Sequence, residues 1–372
     1  MKYSKQTLPV LCCILMSLMT SCWLVKDTNT DVQLVGNTFS QNRTIISGVS
    51  IKKRGKKIAY SDKKGMFKLE EKSVAEGDVL LFEKDGYVTV SRIFKKNMKL
   101  DIFMKSRDGF ISVNSKEAQK LTFTSGITLN IPKNAFLLNA KPYTGKVQIA
   151  ATYFDAERQI DLISAPSLFI AQERKSQKLI PLQTFGVAEI VATTPNNEKL
   201  ALRNDTGIEI ILPSRERETP NVVNFYSLNT ETGYWNLESR LKINDRNELR
   251  GVVTTVNSAW NADEPCSETP VCIKLKVIYQ NGNPGCGVAA SGVSYQGSDG
   301  IYTPDQNNEV QFWVCPDSVI ELGTCFLVCC GPGVPPTDPC CNGAIYKKVI
   351  DLSTITMNPS GCTDIGTWIV QN

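Results

Sequence analysis

Apolar and polar residues alternate along most of this chain in runs of strand length. KVQIAATYF (Lys146 to Phe154), NVVNFYSLN (Asn221 to Asn229), CIKLKVIYQ (Cys272 to Gln280) and EVQFWVC (Glu309 to Cys315) alternate or run continuously apolar. Gly, Asn, Asp and Pro separate such runs about every ten positions. A 3.6-residue apolar period held over about twelve positions, the mark of an amphipathic helix, is lacking. The pattern predicts a mainly β fold of Ig-like sandwiches in tandem, because a strand with one apolar face must bury it against a second sheet.

At 372 residues the chain has room for two or three domains. Its start, MKYSKQTLPVLCCILMSLMTSC, has Lys2 and Lys5, an apolar run from Leu8 to Met19 and small residues before Cys22. That order predicts a secretory signal over residues 1–21 rather than a membrane-spanning helix. Met19-Thr20-Ser21-Cys22 resembles the bacterial lipobox, with Met19 where Leu is commonest, and the resemblance implies lipid attachment at Cys22. Residues 22–43, rich in Thr, Asn and Asp, read as a tether. Beyond it the pattern divides into a small sandwich over 44–106, a β block over 107–265 and a last sandwich over 266–372.

Cysteine and charge sharpen these divisions. Thirteen cysteines occur and not one histidine. Cys12 and Cys13 fall in the signal and Cys22 at the anchor; the other ten are Cys266, Cys272, Cys286, Cys315, Cys325, Cys329, Cys330, Cys340, Cys341 and Cys362. An even number confined to one segment of an exported chain predicts disulfide staples, with the pairing left open. CxxC spacing is absent, so thioredoxin-like and zinc-ribbon signatures are too. Residues 44–105 carry fifteen Lys or Arg against eight Asp or Glu, whereas residues 266–372 carry four against nine. The overall net charge of +4 hides a basic front and an acidic back.

Particular residues extend this picture. Ser61, Asp62, Gly65 and Phe67, followed by Gly86 and Tyr87, resemble the SD-x-x-G-x-F segment and later GY step of the carboxypeptidase regulatory-like domain. That family is an Ig-like sandwich, so the resemblance implies a non-catalytic module over 44–106. Ile131-Pro132 with Ala135-Phe136, the hairpin Asn229-Thr230-Glu231-Thr232-Gly233-Tyr234-Trp235 and the step SAWNADEPC (Ser258 to Cys266) resemble the ZU5-like region and the related block of cartilage intermediate layer proteins. This second resemblance implies interaction modules without an active site. Cys272 to Cys315 repeats the regulatory-like plan and implies a second, stapled sandwich.

Candidate chemistry is sparse. Without histidine, Ser-His-Asp and Cys-His triads, His-bearing zinc sites and HExxH motifs are all excluded. The basic stretch Lys52, Lys53, Arg54, Lys56 and Lys57 offers a patch for anionic glycans or lipid headgroups, but edge strands guarded by lysine give the same pattern. No aromatic residues interleave with these lysines as a nucleic-acid surface requires, so no nucleic-acid partner is expected. Asp263 and Glu264 with Asp305 and Glu309 offer oxygen ligands for calcium, yet no EF-type loop surrounds them, and they read as solvated surface. Trp235, Trp260, Trp313 and Trp368 read as sandwich core rather than a sugar platform. No metal or cofactor is expected. The resulting expectation is a non-catalytic lipoprotein of a bacterial cell envelope, in the outer membrane, acting as a scaffold or adhesive module toward proteins or polysaccharides. An accessory subunit of an envelope machine, or an enzyme using carboxylates or thiolates, are the alternatives.

Overall fold

A computed structural model of the chain describes residues 33–94, 100–213, 220–265, 271–279, 288–292, 298–302, 307–314, 319–325, 345–358 and 361–370. The fold is mainly β. The first unit has seven strands: β1 (Gln33–Ser40), β2 (Ser50–Lys53), β3 (Lys56–Tyr60), β4 (Met66–Glu70), β5 (Val79–Glu83), β6 (Val90–Ile93) and β7 (Leu100–Met104). One sheet runs β4-β1-β7, with β1 antiparallel to β4 and parallel to β7; the other runs β3-β2-β5-β6. Phe67 and Leu69 of one sheet face Ile51, Leu80, Phe82 and Val90 of the other in a single core. Their spacing of two puts each set on one side of its strand. Asp62 makes the β3–β4 turn: its Oδ1 accepts from the amides of Lys64 (2.8 Å) and Met66 (2.9 Å), and Gly65 takes φ of 73°.

The tether reading of residues 22–43 fails at its end, because Gln33–Ser40 is the central strand of a sheet. Its Thr and Asn content masks the alternation, while its hydrogen bonds to β4 and β7 satisfy the backbone on both sides. Gly36 permits the close fit: a Cβ there would lie 2.3 Å from both the Leu100 carbonyl oxygen and the Phe67 ring. Gly36→Ala is therefore expected to cost about 1–3 kcal/mol by overpacking, read as a lower denaturation midpoint with an unchanged m-value.

The middle block contains β8 (Ile111–Asn114), β9 (Gln119–Thr122), β10 (Thr128–Ile131), β11 (Phe136–Leu138), β12 (Lys141–Pro142), β13 (Lys146–Phe154), the short helix α1 (Gln159–Ile163), β14 (Ile170–Gln172), β15 (Leu179–Thr193), β16 (Ala201–Leu202), β17 (Ile208–Leu212), β18 (Val222–Leu228), β19 (Trp235–Ile243), β20 (Leu249–Val253) and β21 (Ser258–Pro265). Its core gathers Ile149, Ile190, Phe225, Leu241 and Trp260, with Phe225 stacked on Trp260 at 4.9 Å. The strand β15, 15 residues long, pairs with β14 at its start, then with β21, then with β13. A bulge between Thr184 and Gly186 turns it.

The last unit comprises β22 (Val271–Tyr279), β23 (Val288–Gly292), β24 (Ser298–Tyr302), β25 (Glu309–Val314), β26 (Val319–Cys325), β27 (Ile345–Asp351) and β28 (Thr363–Val370). Here β22 lies antiparallel to β25 and parallel to β28, and β24-β23-β26-β27 run side by side. Strand for strand this is the order of the first sandwich, β22 standing for β1 and β28 for β7. Leu275, Val310, Ile320, Leu322 and Trp368 fill its core. A disulfide joins Cys272 in β22 to Cys362 just before β28, as stapling of this unit requires.

Candidate functional site

The buried polar chemistry lies at the seams between units. Along the first seam, Phe39, Val88 and Phe103 of the first sandwich pack with Phe154, Leu162, Phe169 and Trp235 of the middle block. Asp161 on α1 is 1 % exposed and accepts from Lys105 Nζ (2.8 Å) and Gln41 Nε2 (2.6 Å), both from the first sandwich and its exit. The Asp155 amide adds a third donor at 3.0 Å. Lys105 also donates to the Tyr153 carbonyl (2.5 Å) and lies 5.0 Å from the Phe154 ring centroid, so its charge is fully engaged.

Arg92 on β6 closes the same seam without any carboxylate. Its guanidinium donates to the carbonyls of Ser91 (2.8 Å), Ala165 (3.1 Å) and Ile163 (3.3 Å), the last two at and beyond the end of α1. The Ser91 amide meanwhile donates to Pro166 O at 2.6 Å. Burial lowers the Arg92 pKa to about 10, which leaves it charged at neutral pH. The hairpin after β18 completes the contact. Asn229 Oδ1 accepts from the amides of Glu231 and Thr232, Gly233 takes φ of 73°, and Gly233 O accepts from Ser167 Oγ at 2.8 Å. Trp235 Nε1 donates to Leu168 O at 2.7 Å.

The second seam lies where β15 meets the last sandwich. The strand order there is β24-β15-β21-β18-β19, and one row of residues crosses it: Ser298, Thr184, Asp263, Asn224 and Arg240. Thr184 and Ser298 form the one pair joining β15 to β24 among the described residues. Thr184 Oγ1 donates to Asn261 Oδ1 (2.7 Å), and Asn261 Nδ2 donates to Asp263 Oδ2. Thr184, Asn261 and Asp263 are all fully buried, and Asp263 Oδ1 has no partner among the described residues. Burial pushes the Asp263 carboxyl well above the usual range, opposed by the Thr184 and Asn261 hydrogen bonds and reinforced by Glu264. Burial also raises Glu264, whose carboxylate accepts from the Asn224 amide at 2.8 Å. Tyr226 is raised by burial and by both acids.

These positions correct one expectation. Asp263 is buried core rather than solvated surface, because residues 259 to 263 of β21 are buried on both faces of the sheet. Glu309 is tied to Lys274 at 3.6 Å, and Asp305 lies outside the described residues. Trp235 and Trp260 are fully buried and Trp368 nearly so. The Trp313 side chain lies outside the described set.

In the basic stretch, Lys52 pairs with Glu83 at 2.6 Å and Lys53 with Asp78 at 3.0 Å, while Arg54 stays 87 % exposed with Asp78 at 3.7 Å. Burial opposes ionisation of Asp78, but the Ala75 amide, Lys53 and Arg54 outweigh it and hold the carboxyl below its ordinary range. Lys56 and Lys57 lie on β3 at the sheet edge, with Lys57 Nζ 4.4 Å from the Tyr60 ring centroid. Cys22 lies outside the described residues, as do Cys266, Cys286, Cys315, Cys329, Cys330, Cys340 and Cys341; Cys325 ends β26. No group of three or more Cys, Asp or Glu side chains suited to a metal occurs among the described residues. None of their helices is long and apolar enough to cross a membrane.

No family model matches the sequence, and no curated protein does either. Among solved structures, the chain aligns with the Bacillus anthracis TIE protein at 9 % identity and a TM-score of 0.19, over 91 % of this chain and half of that one. BcpA, the major pilin subunit of Bacillus cereus, aligns at 11 % identity and a TM-score of 0.17, over 91 % of this chain and 98 % of that one. A membrane-associated protein of unknown function from Bacteroides fragilis aligns at 8 % identity and 0.17, over 63 % and 97 %. Scores in this range do not define a shared fold.

Proposed function

We propose that the protein is a non-catalytic, lipid-anchored scaffold or adhesive module of a bacterial cell envelope, holding binding surfaces outside the cytoplasm for proteins or polysaccharides. The observation that carries this reading is the bracketing of the middle block by two sandwiches of the same strand order, joined to it through buried seams. Such an arrangement fixes the spacing of exposed surfaces. Strands β27 and β28 each pair on one side only among the described residues, and they carry Val349 and Ile369, each 59 % exposed. Strand edges of this kind take up extended partner segments through main-chain hydrogen bonds. The lipobox-like sequence at Cys22 supports the anchor.

Mass spectrometry of protein from native membranes, alkylated before and after reduction, tests the reading. Acylated Cys22 and bridged cysteines are the expected result; cross-linking in whole envelopes then separates a constant machine partner from ligands on other surfaces. An unmodified Cys22 with free, reactive thiols would overturn it.

A further inference from the structure

The turn between β2 and β3 holds more positive charge than the carboxylates around it match. Lys53 and Arg54 share the single carboxylate of Asp78, at 3.0 and 3.7 Å. Glu83 is taken by Lys52 and Glu70 by Lys72. Lys56 and Lys57 are both exposed, and no carboxylate among the described residues pairs with either; Lys57 Nζ instead donates to Tyr60 Oη at 2.9 Å. Hydrogen bonds fix where this surplus lies. Ser61, just beyond β3, donates through Oγ to Ile46 O at 3.0 Å, and the Ile46 amide donates to Thr38 O near the end of β1. Strands β1 and β3 therefore run the same way in facing sheets, and the β2–β3 turn lies at the end of the sandwich where β1 begins. The middle block sits elsewhere. It meets the opposite end, where Lys105 follows β7 and pairs with Asp161, and it meets β6, the strand farthest from β3 in its sheet.

We infer that this end of the first sandwich lies against the membrane that holds Cys22, with the turn from Lys53 to Lys57 docked on anionic lipid headgroups. The inference rests on the lipid anchor proposed above. Cys22 stands eleven residues before Gln33, the first residue of β1, and at roughly 3.5 Å per residue that length of chain spans at most about 40 Å. The anchor thus holds the basic turn close to the headgroups, at a high effective concentration. Each Lys or Arg near an anionic leaflet then strengthens attachment about fivefold. An anionic polysaccharide would meet the same charges, but nothing ties it to the end of the sandwich that the anchored chain enters. Lysines that only guard a strand edge against pairing need no counter-charge and no place at that end.

Lysine acetylation read by mass spectrometry tests this on protein purified from native membranes and reconstituted into vesicles. Lys56 and Lys57 should label about fivefold more slowly on vesicles containing phosphatidylglycerol than on phosphatidylcholine alone. Salt at about 1 M, where charges are screened beyond about 3 Å, should abolish the difference. Lys133 and Lys141 of the middle block, exposed as well, should label alike on both vesicles. Equal labelling of Lys56 and Lys57 on the two vesicles, or shielding that survives high salt, would overturn the inference. Shielding by an anionic polysaccharide with none on vesicles would overturn it too. Loss of the protein from phosphatidylcholine vesicles on washing would overturn the anchor and the inference with it, whereas retention with equal labelling overturns the inference alone.

Discussion

Removing the bridge between Cys272 and Cys362 as a double alanine variant is expected to destabilise the last sandwich by about 4–5 kcal/mol. The two residues are 90 apart in sequence, and in the chain-entropy account a closed loop of that size restrains the unfolded ensemble by that amount. Trp368, buried in the same core, supplies a fluorescence reporter for the transition. The first sandwich, which holds neither cysteine of the bridge, should unfold at an unchanged denaturant concentration. Equal loss in both sandwiches would mean that the units unfold as one.

Arg92→Ala carries the second large effect, a loss of about 3 kcal/mol or more. The substitution strips three carbonyls of a charged donor and leaves a void between β6 and the end of α1. Its signature differs from that of the bridge, because the first sandwich and the middle block should lose cooperativity with each other. In calorimetry the first sandwich and the middle block are expected to melt in one shared transition in the native protein and in two separate ones in the variant. Arg92→Met separates two contributions: stability equal to the native protein would show that the desolvation cost of the guanidinium cancels its hydrogen bonds.

Much of the fold was legible because strand periodicity and turn chemistry are local. The Ser61-Asp62-Lys63-Lys64-Gly65 turn and the strand from Lys146 to Phe154 fall where residue pattern put them, and the hairpin from Asn229 to Trp235 falls where the resemblance implied one. Strand β1 escaped because Gln, Asn and Thr on a strand paired on both sides look like linker residues when read alone. Asp263 and Arg92 escaped for a different reason. A polar residue becomes buried through what a distant segment lays over it, and nothing adjacent to Arg92 in sequence announces the loop near Pro166, 74 residues on. Arg92 read as one more charge of a basic front. Among the candidate residues, the bridge between Cys272 and Cys362 followed the cysteine distribution, while the charge neutralisation at Lys52 and Lys53 depends on which acids β5 and its preceding turn bring alongside.

The parallel pairing of the first and last strands in each sandwich has a mechanical side. When a pull enters at the start of β1 and leaves at the end of β7, the two neighbours are drawn past one another, and every hydrogen bond between them is loaded in shear at once. In the last sandwich the geometry goes further. Tension arriving at Cys272 crosses the sulfur bridge to Cys362 and leaves along β28, so the segment between the two cysteines is bypassed. Stretching the chain would then lengthen it by the other units before it drew anything from this one.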